Sequence, residues 1–211
     1  AFGPDRRQDQ FGTIPGYLVI PAPYVYPGLG KGWMLIGYGG NILDTNVDAF
    51  VVAFTGDAEG YISSVEEIFV IPKYFYLSAM HLNVKKFGIN MYSSRGMESE
   101  KDDFNIFVGD KYILNKLETT LSLQERRIEI SLYSQNENGR TTEIRDAKGE
   151  NPQTIAEPIL MNGQRNGAVI HLDWTDDLKD PREGLRFKSN TEFIPAVNTG
   201  SPEYNIFSYG L

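Results

Sequence analysis

Acidic side chains are the first candidates for chemistry in this sequence. Asp173, Asp176 and Asp177 precede Pro181, Gly184 and Arg186 in one polar stretch. Carboxylates so placed could gather a cation. They could equally accept hydrogen bonds from nearby backbone N–H groups as Asx turns. Pro181 fixes φ, and Gly184 is free to take a positive φ as the next strand opens. The organised turn is the reading the spacing favours. Asp44-Thr45-Asn46-Val47-Asp48 begins like a calcium loop, but Ala49 stands where such a loop needs Gly, and no closing Glu follows. Glu66 and Glu67 are adjacent; strand neighbours face opposite ways, so no acid/base pair is expected from them. His81 and His171 fall on polar positions of alternating segments, where a solvated or lumen-facing ring is expected rather than a metal ligand. Gly28-Leu29-Gly30-Lys31-Gly32 lacks phosphate-loop spacing and precedes a strand. No G-x-S-x-G elbow and no N-x-[ST] sequon occur. No enzyme, cofactor or metal is therefore expected.

Composition narrows the classes further. The chain has 211 residues, 20 Lys+Arg against 28 Asp+Glu, and no cysteine. The absence of Cys excludes disulfide scaffolds and thiol chemistry. A net charge of -8 argues against nucleic acid, whose affinity comes largely from Lys and Arg on phosphates. No run of about 18 apolar residues is present, so no transmembrane helix is expected. Mean hydropathy is -0.33, an average value. Transmembrane β-barrels share it, because they alternate apolar and polar residues. Twelve Tyr, twelve Phe and twenty-one Gly lean toward strands joined by turns.

The elements that must carry these residues read as about ten strands after a flexible lead-in over 1–13. The expected spans are Tyr17–Tyr26, Lys31–Asn41, Val47–Asp57, Tyr61–Ile71, Phe75–Tyr92, Phe104–Leu123, Arg126–Asn136, Gln164–Thr175, Gly184–Pro195 and Tyr204–Leu211. Pro27-Gly28, Asp44-Thr45-Asn46, Gly60, Pro72-Lys73 and Asn198-Thr199-Gly200 supply turns. The alternation is strict in several windows. Ile128, Ile130 and Leu132 oppose Arg127, Glu129 and Ser131. Leu185, Phe187 and Phe193 oppose Arg186, Lys188, Asn190 and Glu192. Period two with one apolar and one polar face means antiparallel strands.

Two architectures fit that period. In a soluble, secreted β-sandwich binding a glycan or protein ligand, the apolar face is clasped between layers. In a membrane barrel it meets lipid, and the charged face lines a wet lumen. Phe75–Tyr92 and Phe104–Leu123 are long for sandwich strands. Phase changes at Lys86-Phe87 and Lys116-Leu117 suggest a β-bulge or a strand leaving the bilayer. Connections alternate between short turns and longer polar segments, Ser93 to Asp103, Glu137 to Gly163 and Ala196 to Glu203, which is the outer-membrane pattern. Within the second, Asn138-Gly139 and Asn162-Gly163 suggest local turns. The first strand is apolar yet holds Pro21 and Pro23 beside Tyr24. Each Pro removes a ladder donor, so this strand belongs at an edge or weak seam.

Asp173-x-x-Asp176-Asp177-x-x-x-Pro181-x-x-Gly184-x-Arg186 resembles the turn between mid-barrel strands of the BamA/TamA family of outer-membrane assembly barrels, the bacterial surface antigens. Ile20-Pro21-Ala22-Pro23-Tyr24 followed by Gly30-x-Gly32-Trp33 is similar to their first hairpin. The resemblance covers about Ile14 to Leu211. It implies an all-β, antiparallel, up-and-down transmembrane barrel, here incomplete: about ten strands of a sixteen-stranded wall over 14–211. It implies the outer membrane of a Gram-negative-type bacterium. The implied partners are outer-membrane lipid and unfolded outer-membrane proteins or translocated polypeptide, with no nucleic acid. The implied action is strand templating at a weak seam (Pro21, Pro23, Tyr24), by β-augmentation. His171, Arg186, Lys188 and Glu192 would face the lumen, and Asp173, Asp176, Asp177, Pro181, Gly184 and Arg186 would form a structural turn. Two family features are missing: an α/β POTRA segment ahead of the barrel, and the Arg-Gly-aromatic loop, for which Arg95-Gly96-Met97 is a misplaced near-match. A truncated barrel is the expectation.

Overall fold

A computed structural model describes residues 14–26, 30–92, 104–177, 181–195 and 203–210. They form one antiparallel sheet in which every strand pairs with the next in sequence. The strands are β1 (Gly16–Tyr26), β2 (Gly30–Gly40), β3 (Asp48–Gly56), β4 (Glu59–Ile71), β5 (Phe75–Tyr92), β6 (Phe104–Leu123), β7 (Ile128–Arg145), β8 (Gln153–Thr175), β9 (Gly184–Ile194) and β10 (Tyr204–Gly210). A single 3₁₀ turn, Ile42–Asp44, links β2 to β3. β1 and β10 are the two edges, so the sheet is open. Among the described residues no second layer packs against it, and the sandwich is not the fold. The expected lead-in over 1–13, the Pro27-Gly28 and Asn198-Thr199-Gly200 turns, Arg95-Gly96-Met97 and the connection from Ser93 to Asp103 lie outside the described residues.

The connections after even-numbered strands make a first rim, and those after odd-numbered strands a second. One hydrogen-bond row shows how the strands are staggered between them. It runs unbroken through Tyr17, Gly39, Ala49, Val65, Ala79, Leu117, Ser134, Asn166, Phe193 and Asn205. Tyr17 is the second residue of β1, at the first rim, whereas Phe193 is the penultimate residue of β9, at the second. A row perpendicular to the strands thus climbs from one rim to the other.

Directly opposed residues share a face. By that rule one face carries Leu117, Leu121, Ile130, Leu132, Ile170 and Leu185, all at least 40% exposed. The other carries Glu118, Thr120, Ser131, His171 and Lys188, and it is concave: residues of β4 to β10 line one hollow of about 720 Å³. In β4 and β5 the concave face also carries Ile62, Met80, Leu82 and Val84; from β6 to β9, near the first rim, the predicted division of greasy and charged residues holds. In β1 to β3 it does not. There the concave face is apolar as well, through Ile20, Met34, Ile36, Phe50, Val52 and Phe54.

Two expected boundaries are corrected. The segment Glu137 to Gly163 is largely strand: β7 continues to Arg145 and β8 starts at Gln153. Asn138-Gly139 and Asn162-Gly163 are not turns; Asn138 pairs directly with Asn162. The long β6 offers a ladder to β7 beyond Asn136, and Arg140 binds Asp110 across it. Gly60 likewise lies inside β4, and the β3–β4 turn is Asp57-Ala58. Pairing through Lys116-Leu117 is continuous, so no bulge sits there. The pairing of β4 with β5 does shift, at Glu59/Gly60 opposite Lys86 and again between Val65 and Ile68.

Candidate functional site: a polar hollow, a rim clasp and an edge

The second of those shifts reshapes the acidic pair. Glu67 takes φ 57, and the bulge brings both Glu66 and Glu67 to the concave hollow. The expectation that they face opposite ways is overturned, because a bulge breaks the two-residue period. Glu67 is held by Arg126 Nη1 at 2.5 Å, whose Nε meets Glu129 at 2.8 Å. Arg126 reaches them from the β6–β7 turn, where Gln124, Glu125 and Arg126 all have positive φ, and its guanidinium lies 5.4 Å from the Tyr76 ring centre. His171 Nδ1 stands 3.5 Å from Glu129 Oε2. Lys188, opposite His171 in the ladder, lines the same hollow. Glu192 accepts from the Tyr133 hydroxyl and from Asn190 Nδ2. Lys116 pairs with Glu118 at 2.7 Å. So His171, Lys188 and Glu192 share the concave face, with acids and bases largely neutralising one another. Among the described residues the hollow is lined mostly by polar side chains and by paired acids and bases.

Arg186 is on the same face but belongs to the first rim. Its Nη2 donates to Asp173 Oδ2 at 3.0 Å. Asp173, fully buried, also accepts from Thr175 N at 3.0 Å and from the Thr175 hydroxyl. Asp176 Oδ1 accepts from the backbone N–H of Arg182 at 2.9 Å and of Glu183 at 3.0 Å. The Asp177 carbonyl accepts from the Thr175 hydroxyl at 2.8 Å. Gly184 takes φ +112, and a Cβ there would sit 2.2 Å from the Trp174 carbonyl. Pro181 is exposed beside it. Asp173 and Asp176 thus spend carboxylate oxygens on backbone N–H groups, on Thr175 and on Arg186. Asp173 N in turn donates to the Arg127 carbonyl, tying this turn to its neighbour on the rim.

In β1, Tyr24 is 3% exposed, with its hydroxyl accepting from Ala58 N at 3.2 Å and donating to the Ala58 carbonyl at 3.1 Å. It packs over Gly32, where a Cβ would lie 2.8 Å from its ring. Tyr24 therefore clamps the first three strands together across the concave face. Pro21 and Pro23 have the same parity, so their missing N–H groups lie on one side of the strand. β1 pairs with β2 without a break from Gly16 to Tyr26, which places that side at the free edge. The edge position read from the prolines is the one found.

His81 lies on the convex face, opposite to His171, with Nδ1 2.6 Å from Asn115 Oδ1 and Nε2 3.1 Å from the Tyr61 hydroxyl. Three groups escaped the sequence reading: Arg126, whose direction depends on a strained turn; Tyr133; and the amides around His81. At the second rim, Asp146 accepts from Asn151 Nδ2, Glu150 N and Lys148 N, and these bonds hold its carboxyl below the usual range. No group of three or more His, Asp or Glu that could hold a metal occurs among the described residues. Comparison with family models, curated proteins and solved structures gives no match.

Proposed function

We propose that this sheet is a section of an outer-membrane β-barrel wall, similar to the BamA/TamA assembly barrels, and that it assists insertion of outer-membrane proteins or passage of polypeptide without catalysing bond chemistry. One observation carries the membrane part. The exposed apolar residues of the convex face form a belt that runs obliquely to the hydrogen-bond rows. It covers nearly all of β1, from Tyr17 to Val25, but only the first-rim half of β6, from Leu117 to Leu123. In a tilted barrel wall a belt of constant height must cross the rows in this way. Tilt in such walls is about 35–45°. The polar hollow supplies the aqueous side. The assembly part rests on the resemblance of the Asp173–Arg186 turn and the β1–β2 opening, together with an exposed edge at β1 to which a strand could add.

The test uses the absence of cysteine, which makes each introduced Cys unique. Spin labels at Thr120 and Leu121, and at Ile130 and Ser131, sample adjacent residues on opposite faces. In lipid vesicles, labels at 121 and 130 should collide with oxygen, and those at 120 and 131 with a polar nickel relaxant. Equal access of the nickel complex to both faces would sink the reading. Heat-modifiable migration in gels should accompany insertion. For the assembly role, vesicles holding the chain should speed insertion of an unfolded outer-membrane protein over empty vesicles; equal rates would count against it.

A further inference from the structure

A second surface on the convex face differs from the belt beside it. Ser63, His81, Asn115, Asn136 and Gln164 stand in one hydrogen-bond row across β4 to β8. The next row toward the second rim holds Tyr61, Asn83, Ile113, Asn138 and Asn162. In β1 to β3 the same two rows carry only Val19, Gly37 and Val51, and Pro21, Leu35 and Ala53. The change from apolar to amide side chains therefore happens along a row, midway across the sheet. None of these ten residues in β4 to β8 is Lys, Arg, Asp or Glu.

That composition selects a ligand chemistry. An Asn or Gln amide both donates and accepts, as a sugar hydroxyl does. A phosphate or carboxylate would call for Lys or Arg. A groove of about 360 Å³ runs among Asn115, Asn136, Asn138, Asn162 and Gln164, within the usual size of small-ligand sites. Glu137 borders it, but its carboxylate turns to the other face and accepts from the Tyr112 hydroxyl at 2.7 Å. Asn138 and Asn162 bind each other at 2.7 Å, and Asn115 is taken by His81. Asn136 and Gln164, directly opposed on β7 and β8, make no side-chain hydrogen bond among the described residues. Two amides lining the groove thus keep their full capacity.

We propose that this band binds the uncharged sugar of a glycolipid head group. Its place in the sheet argues for a lipid-borne sugar. The amides lie beyond Leu117, Leu132 and Ala168 along β6, β7 and β8, with Ser134 and Asn166 between on β7 and β8, so a lipid whose acyl chains cover the belt brings its head to the groove. This rests on the membrane reading above. The experiment places the chain in nanodiscs of phosphatidylcholine containing a minor share of digalactosyldiacylglycerol and counts co-purifying lipids by native mass spectrometry. The glycolipid should be retained in preference to phosphatidylcholine. Replacing Asn136→Ala and Gln164→Ala should lower that preference about fivefold per amide, the loss expected for one net hydrogen bond. Trypsin resistance of the strands reads insertion separately. Failure to insert overturns both readings; insertion with equal retention of the two lipids overturns this one alone. If water-soluble digalactosylglycerol binds as tightly as the glycolipid, the groove takes free sugar and the lipid assignment falls. The wild-type comparison decides the matter even if the double variant does not insert.

Discussion

Single positions in this sheet matter through the rows they share. Gly167 lies between Tyr133 of β7 and Glu192 of β9 in one row. With no Cβ at 167, the Tyr133 ring lies over β8 and its hydroxyl reaches Glu192 two strands away. A Cβ at 167 would come within 2.3 Å of the ring. Lys116 adds a cation 4.7 Å above the same ring. The glycine is thus the floor on which an aromatic side chain staples three strands. Gly167→Val should displace the ring and destabilise the folded chain by about 1–3 kcal/mol, the usual cost of forced repacking. Tyr133→Phe, which keeps the ring and loses only the hydrogen bond, should cost about 1 kcal/mol. Urea unfolding of detergent-folded chain measures both. Equal costs for the two variants would mean that the ring's position over Gly167 is unimportant.

At the scale of elements, the strands that alternate cleanly were legible in the sequence, because a two-residue period leaves little freedom. β9 is found as Gly184–Ile194 against an expected Gly184–Pro195. β7 and β8 were cut short for a physical reason. Beyond Asn136 and Gln164 the next convex residues are Asn138 and Asn162, the turn-prone Asn-Gly pairs point to loops, and only the length of β6 reveals that a partner ladder continues. Of the candidate site, the backbone-binding Asp176, the positive φ of Gly184 and the edge position of β1 were legible, since Asp, Pro and Gly carry their conformational preferences locally. The acidic pair was not: the bulge at Glu67 depends on how β4 meets β5. The prolines of β1 yield a prediction at this scale. An open edge invites pairing with another chain, and proline blunts it by deleting donors. Pro21→Val with Pro23→Val restores two N–H groups to the free edge beside Tyr17 and Val19. The double variant should form more cross-linked dimer in detergent than the parent, while its β1–β2 ladder is unchanged. Dimer yields no greater than those of the parent would show that the edge is protected by something other than proline.

For the whole molecule the decisive property is the slant of the apolar belt relative to the ladder. Val51 and Asn136 occupy one hydrogen-bond row, on the same face, and both side chains are exposed. In water the two places are equivalent, and arginine at either costs little. In a tilted lipid-embedded wall they differ in depth, because the row climbs toward the second rim as it passes from β3 to β7. Val51 then faces hydrocarbon, while Asn136 stands near the polar boundary. Arginine in a barrel wall costs about 2–4 kcal/mol at the bilayer midplane and about 0–1 near its interfaces. Val51→Arg should therefore lower folding stability in vesicles by at least about 2 kcal/mol, and Asn136→Arg by less than about 1. The ratio of folded to unfolded chain across a guanidinium series in vesicles gives the numbers. A matched cost at the two positions would make the row horizontal with respect to its surroundings, and the slanted belt would then have no lipid to answer to.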